Sequence, residues 1–209
     1  MKFLARLLLS LPYNVETMRK NREKLRELLS GKLSKDEIIK ISQVINPNQW
    51  EDIYSLVTEE DRELSANAAH LLLNTRKGIR IWLGGKIHSI MENIQTVPFD
   101  KTKRLLLSIL EKQKIETFNI DIKFLNYCLD NIISLETPPA IKVLCIKLAY
   151  KQCMAYPELL SELRNILEIM EDNMLCPSIL CAKKHAMKAI STTLFSYHEQ
   201  DNKLRKQKQ

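Results

Sequence analysis

The feature that most constrains the fold of this 209-residue chain is a repeat of apolar positions every 38 residues. Four columns of positions are apolar in every row, although only 45% of the chain is hydrophobic. The first two columns lie three residues apart and the last two lie four apart, so each pair shares one helical face. The columns are Ile53, Met91, Leu129 and Leu167; Leu56, Ile94, Ile132 and Met170; Ala68, Leu106, Leu144 and Ala182; and Leu72, Leu110, Leu148 and Ala186. This pattern predicts four copies of a two-helix unit.

Local signals for helix ends agree with the repeat. Ser34 and Glu37 have the spacing of a capping box, and Gly31 is a good stop for the helix before it. The pair Gly84-Gly85 falls inside a helical pattern and predicts a kink or a close helix contact rather than a phosphate loop. The predicted helices cover 17–30, 34–45, 48–58, 61–76, 80–96, 100–114, 120–135, 138–155, 157–172 and 177–200.

A unit of this length is typical of HEAT and armadillo repeats, whose hairpins bury their apolar faces only by stacking on neighbours. We expect an all-α, right-handed α-α superhelix of about four HEAT-like hairpins after an N-terminal capping hairpin, with Leu144 fully buried. An irregular helical bundle is the alternative, and it stays open because residues 177–200 fit the 38-residue register less well. The expected organisation is a leader or first-helix edge over 1–14, one repeat domain over 15–200 and a disordered basic tail over 201–209.

The net charge of +7 is concentrated near the two ends of the chain. Residues 2–26 carry seven Lys or Arg and two Glu, and residues 203–209 carry four Lys or Arg and no acid. The segment between them is therefore slightly acidic. A nucleic-acid-binding body is expected to carry its positive charge on the folded surface, so nucleic acid is the less favoured partner.

The five cysteines lack CxxC spacing, and we expect reduced, buried thiols in a cytoplasmic protein. Cys145 and Cys153 lie nearly on one helical face. We expect no metal site and no cofactor, and no stretch is long and apolar enough for a membrane span. Phosphate-loop, dinucleotide and nucleophile-elbow motifs do not occur, and the four histidines are scattered over different repeats. The sequence therefore predicts no catalytic residues and a non-enzymatic protein.

Several segments resemble small bacterial HEAT-like proteins of unknown function. They are 61–72 (DRELSANAAHLL), 137–150 (TPPAIKVLCIKLAY), 157–168 (PELLSELRNILE) and 178–189. The resemblance covers about 34–190 and implies an armadillo-type fold with no established activity. Some of these relatives carry the label adenylosuccinate lyase, but the lyase's serine-loop pattern has no counterpart here, and the chain is less than half a lyase subunit.

A second resemblance is to the HEAT-like DNA-alkylation-repair fold, which would imply a nucleic-acid-binding protein or a glycosylase relative. Residues 142–151 followed by Tyr156-Pro157-Glu158 are faintly similar to that family's Lys-Ala-Ile-Gly-Trp-Ala-Leu-Arg helix and Asn-Pro-Glu turn. The tryptophan, the arginine and the family's Trp-Trp-Asp segment are absent. The likeness is therefore to the scaffold and not to the base-handling site.

The second helix of each HEAT pair generally lines the concave side of the stack. With Ala68 and Leu72 taken as inward, the residues half a turn away form a mildly basic line: His70, Arg104, Lys142 and Lys184. An ordinary solvated helix face is the alternative interpretation. As a binding surface this line would suit a protein or peptide partner, most simply an acidic one.

Overall fold

The computed structural model describes residues 15–74, 77–115 and 119–207, and within those ranges it contains eleven α-helices and no β-strand. The all-α prediction is confirmed. The helices are α1 (Val15–Leu29), α2 (Lys35–Val44), α3 (Trp50–Ser55), α4 (Arg62–Leu73), α5 (Lys77–Gly84), α6 (Ile87–Thr96), α7 (Asp100–Glu111), α8 (Ile122–Ile133), α9 (Pro139–Cys153), α10 (Pro157–Ile169) and α11 (Pro177–Gln207). They fall into two compact units, unit 1 up to Ile109 and unit 2 from Leu110.

Helix ends follow local chemistry. The Glu37 amide donates to Ser34 Oγ at 3.3 Å while the Ser34 amide donates to Glu37 Oε2 at 2.8 Å, so the predicted capping box opens α2. Asp61 accepts a bond from the Leu64 amide at 2.8 Å and starts α4. Gly31 follows α1 with φ +80°, a conformation that costs glycine little.

Three predicted helices differ most from the structure. The helix predicted over 80–96 is two helices, because the Gly85 and Lys86 amides donate to Trp82 and Leu83 carbonyls and close a turn at the predicted kink. The helix predicted over 48–58 has 3₁₀ turns at both ends, Pro47–Gln49 and Leu56–Thr58. The last helix continues beyond 200 to Gln207 through residues that include no glycine or proline.

Not every predicted boundary falls on described residues. Residues 1–14, and 208–209 of the predicted tail, lie outside the described ranges. The single repeat domain over 15–200 stays a prediction. No helix among the described residues has the length and hydrophobicity needed to cross a membrane.

Unit 1 is organised around α4, which packs against α1, α2 and α3. Because α4 has neighbours on several sides, most of its length is buried, from Leu64 to Leu72 with only His70 partly exposed. Two of its buried residues, Ser65 and Asn67, have polar side chains, and both form hydrogen bonds within the unit. The side-chain Nδ2 of Asn67 donates to the Leu29 carbonyl at 2.9 Å and to the Gly31 carbonyl at 2.8 Å.

Unit 2 is organised around α9, which packs against α8, α10 and α11. Thirteen of the sixteen column positions of the 38-residue repeat are buried, so most of the repeated apolar residues lie in the cores of the two units. The other three, Leu129, Leu144 and Met170, are half-buried. The prediction that Leu144 is fully buried is therefore wrong: the buried surface of α9 instead includes Cys145, Ile146 and Leu148.

Candidate functional site

In unit 1, an ion pair and a pair of hydroxyl groups connect α4 and α7 next to the candidate site. Glu63 of α4 and Lys101 of α7 form an ion pair with Oε2 and Nζ 3.0 Å apart. Two buried hydroxyls, Ser65 and Thr102, lie 3.0 Å apart, and Ser65 Oγ also donates to the Val57 carbonyl at 2.6 Å. These contacts bring the first turns of the two helices together, and they place the basic residues of α7 beside the exposed edge of α4.

Four basic residues of unit 1 gather at that edge, and we call them the cationic surface: Lys35, His70, Lys101 and Arg104. Burial lowers the pKa of His70, and the charges of Arg104, Lys101 and Lys35 lower it further. Arg104 is exposed, and among the described residues no hydrogen bond or ion pair engages its guanidinium group. The cationic surface can therefore accept an anionic group, which would relieve the repulsion around His70.

The predicted binding residues are thus divided. His70 and Arg104 belong to the cationic surface of unit 1, whereas Lys142 and Lys184 belong to unit 2. Lys184 is exposed on α11. Lys142 is only 6% exposed, and its Nζ donates to the Ser134 carbonyl at 2.7 Å. The prediction that Lys142 offers its charge to a partner is therefore wrong, because its side chain is buried and its ammonium group already binds the Ser134 carbonyl.

The reason for the burial of Lys142 is that the last carbonyls of a helix need donors and attract positive charge. Lys142 supplies both a hydrogen-bond donor and a positive charge to the carbonyl of Ser134, the residue that follows α8. Lys151 acts in the same way at the end of α7, where it donates to the carbonyls of Glu111 and Gln113. Lys183 donates to the Met170 carbonyl after α10 and pairs with Asp172 at 2.6 Å. Several lysines of unit 2 are therefore structural, and their number overstates the charge available to a ligand.

We expect Lys142→Met to lower the free energy of unfolding by about 1 kcal/mol. Met keeps most of the packing but removes the donor of the Ser134 carbonyl, while relief of the buried charge offsets part of that loss. The matched control is Lys184→Met on exposed α11, for which we expect a change within about 0.5 kcal/mol. Urea unfolding followed by circular dichroism measures both. Equal effects of the two substitutions would mean that Lys142 does not act as a cap.

The cysteines are only partly as predicted. Cys128, Cys145 and Cys153 are buried, and burial raises the pKa of Cys153 to about 12, so its thiol is unreactive at neutral pH. Cys181, however, is exposed, and its Sγ lies 3.8 Å from Nδ1 of His185. This pair is not among the residues predicted from the sequence, although Cys-x-x-x-His spacing on a helix places the two side chains on one face.

Comparison with known proteins adds one finding to this geometry. A family model described as HEAT repeat domain matches residues 25–190, which is most of the chain. No curated protein and no solved structure matches significantly. HEAT repeats generally mediate protein interactions, and the family is typically non-catalytic. The all-helical structure, the 38-residue period and the extent of this match lead to one conclusion: the chain belongs to the HEAT repeat family.

Proposed function

We propose that this helical-repeat protein is a non-catalytic scaffold that binds an acidic segment of a partner protein on the cationic surface of unit 1. The observation that carries the proposal is Arg104, an exposed guanidinium with no partner among the described residues. Its charge acts on His70, whose pKa is lowered by burial first and then by the charges of Arg104, Lys101 and Lys35. Arginine matches carboxylate geometry with two parallel hydrogen bonds. A carboxylate there would also offset the repulsion between neighbouring cations.

An acidic protein segment fits this surface better than a nucleic acid. One acidic group lies beside the surface, since Glu63 pairs with Lys101 at 3.0 Å and thereby neutralises part of the charge of the surface. A polyanion such as RNA needs several free cations in succession to release counterions. A short acidic segment needs only one or two strong contacts. Lys184 is exposed on α11 of unit 2 and is a separate candidate for contact with an acidic partner. We also propose a cytoplasmic location, where thiols stay reduced.

The test measures both binding and the pKa of His70. A fluorescent oligo-glutamate peptide is titrated with the protein at low salt, and Arg104→Glu is expected to weaken binding about tenfold, because a like charge replaces the main contact. Arg80→Glu is the matched control, since Arg80 is an exposed arginine on α5 of the same unit. Lys184→Glu tests the contact in unit 2 separately.

NMR titration of His70 gives the independent readout. Its pKa lies below the ordinary histidine value in the free protein because of burial and neighbouring cations. Bound peptide carboxylates favour the protonated ring, so the pKa of His70 should rise on binding. Arg104→Glu should also raise it without peptide. Equal loss of binding in Arg80→Glu, or an unchanged His70 pKa at saturation, would contradict the proposal. Tighter binding of an RNA oligonucleotide that disappears when residues 203–209 are removed would favour the nucleic-acid alternative.

A further inference from the structure

Two metal-binding side chains meet on the exposed face of α11 in unit 2. Cys181 and His185 are four residues apart, which makes them neighbours on one helical face. Cys181 Sγ lies 3.8 Å from His185 Nδ1, and both residues are exposed. An ion can therefore reach both atoms from solvent without disturbing the buried residues of α11, among them Ala182, Ala186 and Ile190.

The distance between the two atoms fits a shared metal ion. Zinc binds thiolate sulfur at about 2.3 Å and imidazole nitrogen at about 2.0–2.1 Å, so two such ligands of a tetrahedral ion lie about 3.6 Å apart. The observed separation is 3.8 Å. A small rotation of either side chain removes the difference. Thiolate and imidazole are also the ligands that zinc prefers among protein groups.

We infer that Cys181 and His185 form a site for a divalent metal ion of the zinc class. On binding, the Cys181 thiol releases its proton to solvent, the thiolate Sγ and the neutral imidazole Nδ1 coordinate the ion, and the imidazole keeps its proton on Nε2. Among the described residues no group of three or more His, Cys, Asp or Glu could hold a metal. Water therefore fills the remaining positions, and the ion is exchangeable, unlike the four-ligand ion of a structural zinc site.

Neighbouring charges limit the affinity of this site without altering its geometry. Lys184 and Lys188 are exposed on the same helix and repel a cation. We therefore expect a weak site that a cation of high thiolate affinity fills most readily.

The test is a titration of the reduced full-length protein with cadmium, followed by the ultraviolet charge-transfer band between thiolate and cadmium, with zinc as competitor. Wild type should saturate with a single ion per chain. Cys181→Ser should abolish the band. His185→Gln should weaken binding about tenfold or more, because removal of even an indirect metal partner costs 10–100-fold. Circular dichroism confirms that the variants fold.

Cys176→Ser is the matched control. Cys176 is partly exposed just before α11, but its Sγ contacts the Ser178 hydroxyl at 3.3 Å. This substitution should leave the cadmium affinity unchanged. The inference is overturned if no band forms, if Cys176→Ser removes it, or if His185→Gln binds as tightly as wild type, because the thiol alone would then hold the metal. The outcome is independent of peptide binding in unit 1.

Discussion

Leu148→Asp is expected to lower the free energy of unfolding by at least about 4 kcal/mol, enough to unfold much of unit 2. Leu148 is 0% exposed on α9, the helix that packs against α8, α10 and α11. Shortening such a leucine to alanine alone costs about 2–5 kcal/mol. Aspartate adds a carboxylate that must either lose its charge or remain unpaired in an apolar environment. Circular dichroism during thermal unfolding measures the loss.

Leu144→Asp is the matched control for this prediction. Leu144 lies one turn earlier on the same helix and belongs to the neighbouring column of the repeat, but it is half-buried. A carboxylate there keeps access to water, so the substitution should cost clearly less than Leu148→Asp. If the two variants melt at the same temperature, the difference in burial between Leu148 and Leu144 does not determine the cost of a carboxylate on α9.

Asn67→Ala is expected to lower the free energy of unfolding by about 2–3 kcal/mol. The Asn67 side chain is 2% exposed and donates to the Leu29 carbonyl at the end of α1 and to the Gly31 carbonyl. Alanine leaves both carbonyls without this donor, and a buried acceptor without a partner costs about 1–3 kcal/mol. Urea unfolding followed by circular dichroism gives the free energy directly.

Two further variants separate the hydrogen bonds from the packing. Asn67→Leu keeps most of the side-chain volume but not the donor, so it should be about as destabilising as Asn67→Ala. Asn165→Ala changes an exposed asparagine on α10 and should stay within about 0.5 kcal/mol of wild type. A stability of Asn67→Leu equal to wild type would show that Asn67 fills space and does not cap α1.

Helical register predicts the environment of some candidate residues and not of others. Helical register predicts His70 and Arg104 on one line, and the charge of Arg104 adds to the effect of burial in lowering the pKa of His70. Lys142 satisfies the same register as Arg104, 38 residues later, yet it is buried against the Ser134 carbonyl. Register specifies where a side chain leaves its helix. It does not specify whether a neighbouring helix end lies within reach.

The helices and the cores follow from information that is local or periodic along the chain. The capping box of Ser34 and Glu37 and the positive φ of Gly31 depend on residues a few positions apart, and thirteen of the sixteen positions of the 38-residue period are buried. The roles of Asn67 and Lys142 depend on carbonyls far away or on another helix, so only the tertiary structure decides them. A helix end exposes unpaired carbonyls whatever its sequence, and packing determines which side chain reaches them.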